Sequence, residues 1–213
     1  MSLAPLLAVD HLQFERDDQH IFEPINFTVD AGDILQVEGP NGAGKTTLMR
    51  LLTTVLQPVS GSILYQGEDI RRCRYEYLAN ILYIGHQSGI KMTLTASENL
   101  AWMSSAGCSS EDIRAALGEV GLRSYEDVPC YSLSAGQNRR VALARLLLSR
   151  ARIWYLDEPF TAIDKQGVAI LQGLMRNHVD AGGSLLLSTH QDLAMDAVRR
   201  YCIKPLNQRG SRS

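Results

Sequence analysis

The chain has 213 residues, enough for one ordinary α/β domain with a sizeable core and too few for two of average size. Its formal net charge of -2, with 45% hydrophobic and 21% charged residues, is that of a soluble globular protein and gives no broad electrostatic attraction to nucleic acid or acidic lipid. No run approaches the roughly 18 to 20 apolar residues that cross a bilayer, so we expect no direct membrane insertion and any membrane association to run through a partner. In chain order, residues 1–10 (MSLAPLLAVD) lack a positively charged n-region, so no signal peptide is expected. β-formers between Asp and Gly breaks predict strands over 11–15, 25–30 and 33–38. The third runs into a Gly-rich loop and then a helix over 46–56, where Leu48, Leu51, Leu52 and Val55 recur at helical spacing before Pro58. Strand signals follow at 61–70 and 81–85. Thr95-Ala96-Ser97-Glu98 is a capping box opening a helix through about residue 105, within a helical lobe over about 88–150 broken near 107–110 and 121–134. An apolar run over 152–158 ends in two carboxylates. A helix over 166–181 then stops at Gly182-Gly183, and a second apolar strand, SLLLST, ends at His190. Strands apolar on both faces that alternate with helices predict an α/β fold around a mostly parallel sheet covered on both sides. Residues 1–206 are expected to form a single domain and 207–213 (NQRGSRS) a frayed tail. Cys73, Cys108, Cys130 and Cys202 form no C-x-x-C pair and read as reduced thiols.

Chemistry concentrates in a few runs. Gly39-Pro40-Asn41-Gly42-Ala43-Gly44-Lys45-Thr46 matches G-x-x-x-x-G-K-[ST] and sits after a strand and before a helix, where the motif works. Its glycines let backbone N–H groups point inward around phosphates, and the helix N-terminus adds its positive end. Lys45 is expected to reach the β- and γ-phosphates, Thr46 to ligate Mg2+, and Thr47 to belong to the same loop-to-helix transition. At the end of the 152–158 run, Asp157 is placed to hold the Mg2+ shell and Glu158 to orient or deprotonate the attacking water.

Leu133-Ser134-Ala135-Gly136-Gln137 closely resembles the signature of the ATP-binding cassette ATPases, usually LSGGQ, with Ala135 replacing one Gly. It precedes a helical run, so Ser134 and the following N–H groups stand at a helix N-terminus suited to an anion, or serve as a helix cap. The resemblance covers nearly the whole chain. It implies a RecA-like P-loop NTPase core, a small antiparallel β subdomain and a helical signature subdomain. It also implies roles for further residues: Gln87 as the glutamine that contacts Mg2+ or the attacking water, Asp164 of Thr161-Ala162-Ile163-Asp164 in the loop that crosses between ATPase subunits, and His190 as the switch histidine. The family usually stacks adenine on an aromatic residue before the P-loop. Here that place falls near Arg16, which offers a guanidinium plane, with Phe14 two residues earlier.

In this family ATP is clasped between the P-loop of one subunit and the signature of another, so the resemblance implies pairing with a second copy. The runs VEGPNGAGKTTL, IGHQSGIKMTLTASENL, LSAGQNRRVALARLLL and LDEPFTAIDKQGV are most similar to ATP-binding subunits of cytochrome c biogenesis haem exporters. That similarity implies a peripheral protein on the cytoplasmic side of a bacterial inner membrane, docked on integral subunits (CcmB, with CcmC and CcmD). Its ATP cycle would drive haem delivery or release of a haem-loaded chaperone. Two other classes fit less well. A DNA-acting ATPase needs sustained heptads between residues 46 and 157, and none occur. A P-loop kinase or GTPase would not carry LSAGQ and His190, and N-K-x-D is missing. Another exporter, of lipid, lipoprotein or ions, would share every catalytic part.

Overall fold

Strand β1 (Leu7–Gln13) buries Leu7, Val9 and Leu12, a spacing that breaks period two. The break is a bulge: the pairing register shifts between Val9 and Leu12, and His11 takes φ 47. Parity flips there, so the strand runs over 7–13 and not over the 11–15 expected from β-formers after the Asp10 break. A Cβ on Gly61 would lie 2.4 Å from the His11 carbonyl oxygen, so the bulge rests directly on glycine backbone. The structure is a computed structural model and describes residues 4–104, 107–191, 193 and 195–206; the tail over 207–213 lies outside the described residues.

Two short strands, β2 (Glu15–Arg16) and β3 (Gln19–His20), make a hairpin that the sequence did not reveal. It turns on Asp17 and Asp18, both at positive φ. Strand β4 (Ile25–Val29) pairs antiparallel with β1, and β5 (Ile34–Glu38) leads to α1 (Lys45–Leu52). The helix stops four residues before the expected end. Thr53 Oγ donates back to the Met49 carbonyl at 2.8 Å, Thr54 takes φ 58, and Val55 is left 66% exposed. The expected strand over 61–70 is a hairpin, β6 (Ser60–Tyr65) and β7 (Glu68–Asp69), joined by Gln66-Gly67 with both residues at positive φ. Strands β4, β1, β6 and β7 form one antiparallel sheet in that order.

Helix α2 (Arg74–Ala79), also missed in the sequence, precedes β8 (Ile81–Ile84). Then come α3 (Ala96–Met103), α4 (Ser110–Glu119) and α5 (Ala135–Leu148), each opened by a reciprocal capping box: Thr95 with Glu98, Ser109 with Asp112, and Ser134 with Gln137. Each cap contributes about 1 kcal/mol. The three helices share an apolar cluster that includes Leu100, Leu117 and Val141. Strand β9 (Ile153–Asp157), helix α6 (Lys165–Asp180) and strands β10 (Ser184–Ser188) and β11 (Val198–Cys202) complete the order. β11 was not anticipated, because an edge strand with exposed arginines carries no apolar alternation.

The second sheet is wholly parallel, in the order β11-β5-β10-β9-β8. Every residue of β9 and β10 is buried. On one face Leu48, Leu51 and Leu52 of α1 pack with Tyr155, Leu186 and the antiparallel sheet. On the other, Leu143, Leu146, Leu171 and Met175 of α5 and α6 cover Trp154, Leu156, Leu185 and Leu187. Each fully buried Leu stabilises by ~1.5–3 kcal/mol. Beneath α1, the Tyr77 hydroxyl donates to the Leu52 carbonyl at 2.6 Å and lies 2.8 Å from the Tyr155 hydroxyl. This polar pair ties α2 to the end of α1 and to the sheet.

Candidate active site

Register decides which loops meet. Ser188 of β10 stands opposite Val37 of β5 on one side and Asp157 of β9 on the other, and Leu156 of β9 stands opposite Ile84 of β8. The chain therefore leaves four adjacent strands at one edge, the place where open α/β sheets form their crevice. The segments that leave are 39–47 after β5, 189–190 after β10, Asp157-Glu158 at the end of β9, and Gln87 after β8.

The loop after β5 is built to receive an anion. Gly44 caps α1 at φ 100, with no side-chain capping bond. A Cβ there would sit 2.7 Å from a Phe22 ring carbon, so only glycine fits. Among the described residues no capping partner meets the first-turn N–H groups of α1, which stand at the end of the loop. Lys45 Nζ donates to the carbonyl oxygens of Gly39 at 2.7 Å and Pro40 at 3.4 Å, inside the loop. Thr46 is exposed and Thr47 buried. Residues 40–44 and Thr47 line a cleft of about 730 Å³ together with Arg16, His20 and Leu206. The β2–β3 hairpin brings Arg16 there, whereas Phe14 packs on the core. His20 and Leu206 escaped sequence reasoning because hairpin pairing and the Leu206 N–H bond to the Ile21 carbonyl put them there.

The carboxylates sit in contrasting surroundings. Asp157 is 1% exposed; its Oδ1 accepts from the Ser188 hydroxyl at 2.6 Å, and its Oδ2 is buried without a hydrogen-bond partner among the described residues. Burial and the neighbouring Asp157 push the Tyr83 phenol above its usual range, so it stays protonated beside the carboxylate. Glu158 takes φ 49, outside the strand. Its N–H donates to the Ser188 carbonyl at 3.0 Å and to the Ser188 hydroxyl at 3.1 Å. Its Oε1 lies 3.6 Å from His190 Nε2. Ser188 thus holds the Asp157 carboxylate and the Glu158 backbone N–H together; in the sequence it was one residue of an apolar strand. Gln87 is exposed in its loop.

The signature run lies apart. Ser134 Oγ accepts from the Gln137 N–H at 3.1 Å, and Gln137 Oε1 accepts from the Ser134 N–H at 2.8 Å, so Ser134 caps α5 while staying exposed. A Cβ on Gly136 would meet the Ala162 carbonyl at 3.5 Å, so this turn lies against the 161–164 loop. Asp164 caps α6 through the Gly167 N–H at 2.8 Å, and its Oδ2 is 3.9 Å from Arg140 Nη2. Ser134, Ala135, Gly136, Gln137 and Asp164 do not line the phosphate-loop cleft of their own chain, and neither do Lys45, Thr46, Gln87, Asp157, Glu158 and His190.

The residues present fit a nucleoside triphosphate with a divalent cation. Uncapped amides and Lys45 suit phosphate oxygens, and the orphaned Asp157 Oδ2 is a hard oxygen suited to Mg2+. Residues 22–161 match the ABC transporter family. The chain is 52% identical over 184 residues to a cytochrome c biogenesis ATP-binding export protein CcmA of Pseudomonas putida, covering 85% of this chain and 88% of that protein. It is 49% identical to the protein of the same name from Hahella chejuensis, over 92% and 94% of the two chains. Among solved structures it superposes with a TM-score of 0.78 and 25% identity on a bacterial Atm1-family ABC exporter with ATP bound, covering 89% of this chain and 36% of that one. The chain belongs to the ABC transporter family and, within it, to the cytochrome c biogenesis ATP-binding export proteins.

Proposed function

We propose that Mg2+ and ATP are held between residues 39–47 of one copy and the Ser134–Gln137 turn of a second, and that hydrolysis there drives an export step of c-type cytochrome biogenesis. Family membership makes ATP hydrolysis coupled to export the activity of the chain. Lys45 and the first-turn amides of α1 bind the phosphates, and Thr46, Asp157 and Gln87 hold the cation, directly or through water. Bound Mg2+ would neutralise charge on the phosphate oxygens. Glu158, beside His190, takes the proton of the attacking water and directs its lone pair. The positive φ of Glu158 and the two hydrogen bonds from its N–H to Ser188 fix the backbone that carries this carboxylate at the strand end. Arg16 forms the base-side wall of the cleft, and Asp164 contributes from the loop that faces the partner copy.

The observation that carries this reading is the buried Asp157 Oδ2, which has no hydrogen-bond partner among the described residues, on the same sheet edge as an uncapped helix N-terminus. The signature turn, exposed at Ser134 and Ala135 and packed at Gly136 against the 161–164 loop, supports a site completed by a second copy. The test is Glu158→Gln: turnover should fall at least a hundredfold, and ATP should convert the variant from monomer to dimer in size-exclusion chromatography with light scattering. Lys45→Ala should lose both turnover and ATP-driven pairing. Retained turnover in either variant, or a Glu158→Gln protein that stays monomeric with ATP, would refute the assignment.

The proposed place of action is the cytoplasmic face of a bacterial inner membrane, with residues 1–206 acting as one ATPase domain docked on integral subunits. Among the described residues no helix is long and apolar enough to cross a membrane, and the relatives' names specify export in cytochrome c biogenesis. The cargo step we propose is haem delivery, or release of a haem-loaded chaperone, with CcmB, CcmC and CcmD as the integral partners. Copurification from solubilised membranes with a haem spectrum, and loss of c-type cytochromes in a Lys45→Ala strain, check it.

A further inference from the structure

Arg139, the fifth residue of α5, is a buried cation at 4% exposure that makes no ion pair among the described residues. Burial pulls its pKa below the usual guanidinium value, and the nearby Asp157 carboxylate opposes that pull without pairing directly with it. Its partners are backbone carbonyls from two loops. Nη1 donates to Gly85 at 2.8 Å and, more weakly, to His86 at 3.5 Å; Nη2 donates to Glu158 at 3.1 Å; Nε donates to Pro159 at 3.4 Å. The first pair immediately precedes Gln87, and the second begins with Glu158 itself. One rigid planar group therefore spans the loops after β8 and β9.

We propose that Arg139 is a positioning residue for hydrolysis, a fork that fixes Gln87 and Glu158 relative to one another. A guanidinium presents its donors in one plane at set angles, so it can hold two loops at once; an ammonium is a point charge on a flexible stem and cannot reproduce the fork. A cation that merely filled the interior would have no need to divide its donors between the two segments bearing these side chains. The inference rests on the roles assigned above to Gln87 and Glu158.

The test compares Arg139→Lys and Arg139→Gln with wild type, each alone and combined with Gln87→Ala, reading kcat, KM for ATP and unfolding midpoint. Misplacing a catalytic group by ~1 Å costs on the order of a hundredfold, so kcat should fall about tenfold for Arg139→Lys and about a hundredfold for Arg139→Gln. KM should stay within about threefold. On the residual turnover of Gln87→Ala, adding Arg139→Lys should cost little more, because groups acting through one arrangement are not additive. Millimolar guanidinium should restore part of the kcat of Arg139→Ala. If Arg139→Gln does not fold, Arg139→Lys decides. A folded Arg139→Lys protein with kcat within twofold of wild type would overturn the inference. So would a raised KM at unchanged kcat, or losses that multiply in full with Gln87→Ala. Wild-type turnover in Gln87→Ala and Glu158→Gln would sink the underlying roles instead; those two inactive beside a fully active Arg139→Lys would sink only the fork.

Discussion

Removing the Ser188 hydroxyl tests the site at the atom that joins the Asp157 carboxylate to the Glu158 backbone N–H. In Ser188→Ala, the Glu158 N–H keeps its bond to the Ser188 carbonyl at 3.0 Å, while Asp157 Oδ1 loses its 2.6 Å donor. Asp157, whose buried Oδ2 has no hydrogen-bond partner among the described residues, then has no donor on Oδ1 either. A hydrogen bond to a charged group is worth about 1.5–3 kcal/mol, so urea unfolding in the absence of Mg2+ should show a loss of about 2 kcal/mol. For a chain of this size that lowers Tm by about 4–8 °C. The same hydroxyl orients a proposed Mg2+ ligand, and losing such an outer partner weakens metal affinity about 10- to 100-fold. The Mg2+ concentration for half-maximal ATPase, titrated at saturating ATP, should rise accordingly, with excess Mg2+ restoring much of the turnover. A Mg2+ half-saturation within twofold of wild type in a destabilised variant would refute the link between Ser188 and the metal.

Two further perturbations address the scaffold. Tyr77→Phe should cost more stability than Tyr155→Phe in urea melts: the first strands both the Leu52 carbonyl and the Tyr155 hydroxyl, at about 1–3 kcal/mol for each buried group left unpaired, and the second strands one. Equal costs would contradict the direction of the donor chain. His178, half-buried and stacked on Trp154 with ring centroids 3.8 Å apart, has its pKa lowered by burial. As pH falls through the unfolded value near 6.5, the unfolded chain takes up a proton that the folded one resists. Stability is therefore present above that pH and lost toward pH 5, and His178→Phe should flatten this slope in melts from pH 7.5 to 5.

What the sequence disclosed and what it hid separate by range. The 39–46 loop, the Ser134 cap and the Asp157-Glu158 pair are set by residues within one turn or one strand end, so their types at fixed spacing imply their geometry. Strands β9 and β10 were equally plain, since burial on both faces leaves unbroken apolar runs. Ser188 and Arg139 were silent because their partners lie 31 and 54 residues away. The bulge at His11, the hairpin turns at Asp17-Asp18 and Gln66-Gly67, and the early stop of α1 at Thr54 all place non-glycine residues at positive φ. His, Gln and Thr carry little turn signal of their own, and Asp17-Asp18 reads as a turn only once its short flanking strands are known. Edge strand β11 shows only its pairing with β5 and no hydrophobic code.

That late strand has a consequence for synthesis. Its extension returns to the phosphate loop: the Ile203 N–H bonds the Glu38 carbonyl, Pro205 bridges to Phe22, and Leu206 walls the cleft. On the ribosome the glycine-rich segment therefore emerges long before the piece that closes its pocket, and we expect nascent chains to stay unable to retain nucleotide until the final residues leave the tunnel.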